Sequence, residues 1–178
     1  MSRLLFFIKA ICLFLVMSSR SFAAGYGNIF NVIKFSHVVS SRVNNSNVIY
    51  HGHSKSSADE SLRDISKMSE RLRLYYKDIK KCRDITLHIY AVDYDVLNDR
   101  DIATFVRWRS NEKIRGLYDT TKAPSQTGSI FIVTKYDKKL TSRILAHELA
   151  HYWQHTHCIS QSEPEADEFS QFYITGKT

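Results

Sequence analysis

The chain has 178 residues, of which 43% are hydrophobic, and its 25 basic and 18 acidic residues give a formal net charge of +7. No internal repeat, low-complexity run or glycine- and proline-rich linker divides it, which excludes repeat, collagen-like and largely disordered proteins. The length suits one domain with a single core.

The N-terminus has the pattern of a secretory signal peptide. Arg3 precedes an apolar stretch from Leu4 to Met17, broken only by Lys9, and small residues follow at Ser21-Phe22-Ala23. We therefore expect residues 1–23 to be cleaved and the protein to be secreted or periplasmic, with a formal charge lowered to +4. The alternative is a retained membrane anchor, but the apolar part after Lys9 is shorter than the about 20 residues that a spanning helix needs. Membrane contact is expected only through an uncleaved signal segment.

Two cysteines remain after residue 23, Cys82 and Cys158. In an oxidising compartment an even number of cysteines favours a disulfide, and the alternative is two separate buried thiols. The bond would connect the end of a long helix to the loop after the helix at residues 143–156.

The first half of the remaining chain is predicted to be irregular and then helical. Residues 24–56 are polar and uneven, with short strands predicted at 32–33 and 48–50. Ser57-Ala58-Asp59-Glu60 resembles a capping box and predicts a helix to about Lys81. Its predicted core positions are Leu62, Ile65, Leu72, Tyr76 and Ile79. The basic cluster near residues 77–83 is interpreted as a solvated helix end, so no nucleic-acid partner is predicted.

Strands are predicted next, followed by two helices. Ile85, Leu87, Ile89 and Ala91 alternate with polar residues, which is typical of a half-buried strand. Further strands are predicted at 114–118 and 129–134. The strand at 130–133 could be an edge strand that pairs with an extended peptide or an interior strand, and the sequence leaves both open. The fold class is therefore α+β, with a small, mainly antiparallel sheet.

The helix that follows carries the pattern H-E-x-x-H at His147, Glu148 and His151. On a helix the two histidines lie one turn apart on one face, where their imidazoles can bind a single Zn²⁺. Glu148 is then available as the general base of a zinc hydrolase.

The surrounding residues support that interpretation. Apolar residues recur at four-residue spacing on the opposite face, and the alanines beside them keep this face narrow. Thr141 or Ser142 could cap the helix, and no glycine or proline interrupts it before residue 157. The apolar positions are Leu145, Ala146, Leu149, Ala150 and Trp153.

A zinc enzyme needs a third protein ligand. In the segment that begins at Ser162, Pro164 suits the first turn of a second, shorter helix. Glu163 and Asp167 are four residues apart on one face, so we expect Glu163 to bind the metal and Asp167 to orient a histidine ligand. Glu165 points about 160° away from Glu163 on a regular helix and is the second choice.

His157 is the alternative third ligand. It falls at the last position of the longer pattern H-E-x-x-H-x-x-G-x-x-H, in which the glycine lets the backbone leave the helix sharply. This chain has Gln154 at the glycine position and no methionine after Met68, so the longer pattern is incomplete.

The segment 147–151, followed by Glu163-Pro164-Glu165-Ala166-Asp167, resembles the gluzincin-type zincin metallopeptidases. The second stretch is similar to the Glu-x-x-Ala-Asp helix of minimal zincins such as the M48-type and ImmA/IrrE-like families. The likeness covers residues 129–175. It implies a zincin-like catalytic domain at 57–178, forming one compact domain with 24–56, in which Glu163 is the third zinc ligand and Asp167 matches the family's aspartate.

The expected activity is hydrolysis of peptide bonds, with one zinc ion per chain, Glu148 as general base and a peptide or protein as substrate. Two alternatives stay open. One is a noncatalytic exported protein in which zinc stabilises the fold for binding or structure. The other is a secreted effector or toxin protease. The sequence does not fix the oligomeric state or the residue that would stabilise the oxyanion.

Overall fold

A computed structural model describes residues 35–77, 79–92, 116–119, 126–134 and 138–176. They form eight elements: β1 (His37–Val43), β2 (Ser46–Gly52), α1 (Lys55–Tyr75), β3 (Thr86–Val92), β4 (Gly116–Asp119), β5 (Thr127–Val133), α2 (Lys138–Thr156) and α3 (Glu163–Thr175). The predicted signal peptide and the strand predicted at 32–33 lie outside the described residues. Among the helices described, none has the length and apolar character needed to cross a membrane.

The five strands form one mixed sheet in the order β1-β2-β3-β5-β4. The β1/β2 and β4/β5 pairs are antiparallel, whereas β2/β3 and β3/β5 are parallel. The α+β class is confirmed, but the mainly antiparallel sheet is wrong. The reason is the connection through α1, a crossover that returns the chain so that β3 runs in the same direction as β2.

The strand before α2 is interior in this sheet. β5 has β3 on one side and β4 on the other, so of the two possibilities left open by the sequence the interior one holds. β4 is the outermost described strand on this side.

Of the hairpin β1-β2, the strand β2 was predicted from the sequence and β1 was missed. Asn44 and Asn45 have φ of 46° and 64° and form a two-residue loop between Val43 and Ser46, which pair with each other. Positive φ at both loop residues is the geometry of a type I′ turn, which asparagine tolerates.

The first helix differs from its prediction at both ends. Ser54, not Ser57, is the N-cap, because its side chain accepts a hydrogen bond from the amide of Ser57. The helix ends at Tyr75, and Lys77 has a left-handed φ of 53°. Ile79 is consequently 45% exposed instead of part of the core.

The core lies between one face of the sheet and the helices. The predicted core positions Ile65, Leu72 and Tyr76 are buried, as are Leu145 and Leu149 on α2. The cap predicted at Thr141 or Ser142 is wrong, because α2 already includes Lys138.

Cys82 and Cys158 lie at disulfide distance, with Cα atoms 6.0 Å apart. The amides of Cys82 and Arg83 also donate to the carbonyl oxygen of Thr156. These contacts attach the segment before β3 to the C-terminal end of α2. The predicted connection therefore holds, although α1 has ended before Cys82.

Candidate metal centre and active site

His147 and His151 project from the same face of α2, one turn apart. Their Nε2 atoms lie 3.2 Å from each other. The His147 side chain is 20% exposed and the His151 side chain 8% exposed. The two rings therefore line a recess whose outer part is open to solvent.

The start of α3 brings a carboxylate to these rings. Ser162 caps the helix by accepting a hydrogen bond from the amide of Glu165, and Pro164 occupies the first turn. This cap places Glu163 so that Oε2 lies 3.2 Å from Nε2 of His147 and Oε1 lies 3.2 Å from Nε2 of His151. The helix is thus anchored at the residue that contacts both histidines.

These three side chains could hold a metal ion. Nitrogen and oxygen ligands at the bond lengths usual for zinc lie about 3.3 Å apart around a tetrahedral ion. The separations of 3.2 Å between the two Nε2 atoms and between each of them and Glu163 match that spacing.

The far side of each imidazole contacts an oxygen that can only accept a hydrogen bond. Nδ1 of His147 lies 3.0 Å from Oδ1 of Asp167, and Nδ1 of His151 lies 3.2 Å from Oε1 of Gln154. Since a carboxylate and an amide oxygen have no proton to give, each Nδ1 must carry the hydrogen when its ring is neutral. Both Nε2 atoms then present lone pairs.

Among the described residues, the three groups that face one another here are therefore all hydrogen-bond acceptors. Two Nε2 lone pairs and the carboxylate of Glu163 face one another within hydrogen-bond distance. Acceptors at this separation repel unless a proton or a metal cation lies between them. The arrangement has the electrostatic character of a cation site.

His157 and Glu165 lie away from this group. The ring of His157 stacks on Trp153, with centroids 4.0 Å apart, and its Nδ1 contacts the carbonyl oxygen of Trp153. The helix continues to Thr156 and the backbone reverses only near Cys158, where φ is 56°. His157 thus has no turn before it that could swing it back toward His147 and His151. Glu165 contacts the Gln154 amide nitrogen instead.

Glu148 is buried, with 7% exposure, and lies against β4, the outermost described strand on that side of the sheet. A methyl group built on Gly116 would lie 2.9 Å from Oε1 of Glu148, and it would also clash with Ile144. Glycine at this position therefore lets the carboxyl group lie directly on the strand backbone.

A second contact holds β4 along α2. The hydroxyl of Tyr118 lies 2.8 Å from Nδ1 of His155, whose Nε2 lies 2.6 Å from Arg83. Burial raises the pKa of the Tyr118 phenol, and it lowers the pKa of His155, with a further contribution from the Arg83 charge. A neutral phenol and a neutral imidazole suit a hydrogen bond in which one donates and the other accepts.

Sequence reasoning missed two residues of this site. Gly116 carried no signal, because its closeness to Glu148 depends on how β4 pairs. Gln154 was considered only as a departure from a longer motif. It lies three residues after His151, however, and this helical spacing could have indicated a contact.

Comparison with family models, with curated proteins and with solved structures gave no match to this chain. The likeness to metallopeptidases therefore depends on the residues of the site.

Proposed function

We propose that this chain is an exported zinc metallopeptidase that hydrolyses peptide bonds. The observation that carries the proposal is the convergence of two imidazole Nε2 atoms and the Glu163 carboxylate, at 3.2 Å separations. The buried Glu148 directly follows His147 on the same helix. Two imidazoles with one carboxylate are the ligand set of many catalytic zinc sites.

The number of ligands favours catalysis over a structural role. Within the described parts of the chain, this group offers three ligand residues, whereas a structural zinc site usually has four protein ligands. The side chains of Glu163 and Asp167 are 76% and 65% exposed. A fourth position next to them would be accessible to water and to a substrate.

The chain's own residues have distinct tasks in the proposed reaction. His147, His151 and Glu163 hold the ion, and Asp167 and Gln154 fix the orientation of the two rings. A zinc ion in such a site makes a water more acidic and polarises a carbonyl group. Glu148 takes the proton of the attacking water and passes it to the leaving amine, so that one carboxylate acts first as base and then as acid.

Export is proposed from the N-terminal pattern and the cysteine pair. The disulfide distance between Cys82 and Cys158 is compatible with an oxidising compartment. N-terminal sequencing of the exported protein should begin at Ala24, whereas an uncleaved protein would begin at Met1 and contradict the cleavage.

Elemental analysis of the purified protein tests the metal site. We expect about one zinc per chain in the wild type and a large loss of zinc in Glu163→Ala, since removing a ligand commonly weakens binding strongly. Glu168→Gln is the matched control, because Glu168 is an exposed carboxylate on the same helix, and it should retain zinc. A wild-type protein without bound metal, even after incubation with zinc, would overturn the proposal.

A peptide library separates catalysis from the noncatalytic alternative. The zinc-loaded wild type should cleave peptides, and chelation should stop cleavage. A protein that binds zinc, melts at a lower temperature after chelation and cleaves nothing would instead be the zinc-stabilised binding or structural protein. Harm to a target cell on expression with an export signal would favour the effector.

A further inference from the structure

Gln154 is fully buried, and all four hydrogen-bonding positions of its side-chain amide are occupied. The oxygen contacts Nδ1 of His151 at 3.2 Å and the amide of Ser162 at 3.1 Å. The nitrogen donates to the hydroxyl of Tyr76 at 2.9 Å and to Glu165 at 3.1 Å. A glutamine amide has two donor hydrogens and an oxygen with two lone pairs, so no capacity is left over.

The partners fix the orientation of the amide from both sides. A backbone N–H can only donate, so it requires the oxygen, and a carboxylate can only accept, so it requires the nitrogen. Burial is the main cause that raises the pKa of the Tyr76 phenol to about 12, and interaction with Glu165 adds to it. The phenol is therefore neutral and accepts from the amide while keeping its own hydrogen.

The oxygen of Gln154 serves two of the proposed zinc ligands at once. Its contact with His151 holds the hydrogen on Nδ1 and leaves the Nε2 lone pair inward. Its contact with Ser162 holds the N-cap of α3, and the next residue along the chain is Glu163. One buried amide thus links the second ligand on α2 to the third ligand on α3.

We propose that Gln154 is a positioning residue of the metal centre, which sets the tautomer of His151 and the position of Glu163 together. The inference rests on the proposed function, because it concerns the same metal. Outer contacts of this kind typically change metal affinity by about 10-fold to 100-fold.

Three variants test it, with the zinc dissociation constant of the folded protein measured by competition with a chromophoric chelator. Gln154→Met keeps the volume but has no hydrogen bonds, and we expect it to bind zinc about 10-fold to 100-fold more weakly. Tyr76→Phe is the matched control, since it removes a partner of the amide nitrogen only. It should lower the melting temperature and leave zinc affinity near the wild-type value.

The third variant exchanges amide and carboxylate. In Gln154→Glu/Glu165→Gln, the new carboxylate at position 154 can accept from His151, Ser162, Tyr76 and the new amide at position 165. All four contacts are kept, with the direction of the hydrogen bonds to Tyr76 and to position 165 reversed and those to His151 and Ser162 unchanged, so zinc affinity should be restored to near the wild-type value. If Gln154→Met does not fold, the exchange variant alone tests the inference. A folded exchange variant with strongly weakened zinc binding would overturn it.

A direct readout is the position of the His151 hydrogen. Two-bond ¹H–¹⁵N spectra of the zinc-loaded protein should show Nδ1 protonated in the wild type and in the exchange variant. Equal zinc affinity in Gln154→Met and wild type would overturn the role of Gln154 while leaving the metal site intact. A wild type that binds no zinc would overturn the proposed function and this inference together.

Discussion

Peptide hydrolysis should depend on Glu148. Metal binding should not depend on it. It lies between the two histidines in sequence, yet its carboxyl group lies against Gly116 on β4 and outside the group of metal ligands. Replacing it with glutamine keeps the shape and removes the proton acceptor. We expect Glu148→Gln to retain about one zinc per chain and to lose peptide hydrolysis by about 10²-fold to 10⁴-fold.

The measurement is turnover of a cleaved library peptide, together with zinc content. Glu70→Gln, an exposed carboxylate on α1, should keep wild-type turnover. Hydrolysis by Glu148→Gln at the wild-type rate would show that another group is the base.

A substitution at Gly116 tests the role of Glu148 in a second way, without changing Glu148 itself. Gly116→Ala brings a methyl group to within 2.9 Å of the carboxyl oxygen and still closer to the Ile144 side chain, so these side chains or the strand must shift. We expect peptide turnover to fall by about 10-fold to 100-fold, because displacement of a catalytic group by about 1 Å has effects of this size. Zinc content should be unchanged. Equal turnover in variant and wild type would mean that Glu148 need not lie on β4.

The sequence predicts those parts of the site whose residues are close to one another along the chain. Fixed spacing on a helix places His147 and His151 on one face of α2, and Glu163 and Asp167 on one face of α3. The packing of α3 on α2 then brings the two pairs together. The contact between Glu148 and Gly116 joins residues 32 positions apart through the sheet, and such a contact depends on strand order, which local periodicity does not encode.

The helices and strands show the same difference between local patterns, which the sequence predicts, and features that such patterns do not determine. The alternation at 85–91 and the apolar spacing on α2 are local patterns, and both predicted the right structure. The end of α1 depends instead on Lys77, which adopts a left-handed φ that is uncommon for lysine. The missed strand β1 was indicated only by Asn44-Asn45, a pair whose preference for positive φ favours a hairpin.

Cys82 and Cys158 lie at disulfide distance, where the segment before β3 meets the end of α2, and they are 76 residues apart in sequence. We expect Cys82→Ser/Cys158→Ser to lower the free energy of unfolding by about 2–4 kcal/mol, since the crosslink restricts the unfolded chain. Urea denaturation of zinc-loaded protein measures this difference.

The matched comparison is the wild type under a reducing agent, which should have the same stability as the double variant. Oxidised wild type and double variant with equal stability would contradict a bond between these cysteines.

The molecule as a whole should become less stable in acid, even without metal. Burial, with a contribution from the charge of His88, lowers the pKa of His51 to about 4, and burial is the main cause that lowers the pKa of His88, His155 and His157. A histidine whose pKa is lowered by folding binds its proton more tightly in the unfolded chain. The contribution of these neutral histidines to the free energy of unfolding is therefore fully present above about pH 6.5. It is lost as the pH falls toward about 4.

A substitution at His51 measures the contribution of one histidine to this loss of stability in acid. It stacks on Tyr90, with ring centroids 4.4 Å apart, and its Nε2 lies 3.2 Å from Nδ1 of His88, so a charged His51 ring would face a poorly solvated surrounding. Between pH 7 and pH 4 its contribution to the loss should be on the order of 2 kcal/mol, after allowance for partial exposure. Urea denaturation of chelator-treated protein at several pH values should show a shallower loss of stability in His51→Gln than in wild type. Identical slopes would contradict the assignment, because the histidine that folding keeps neutral would then lie elsewhere.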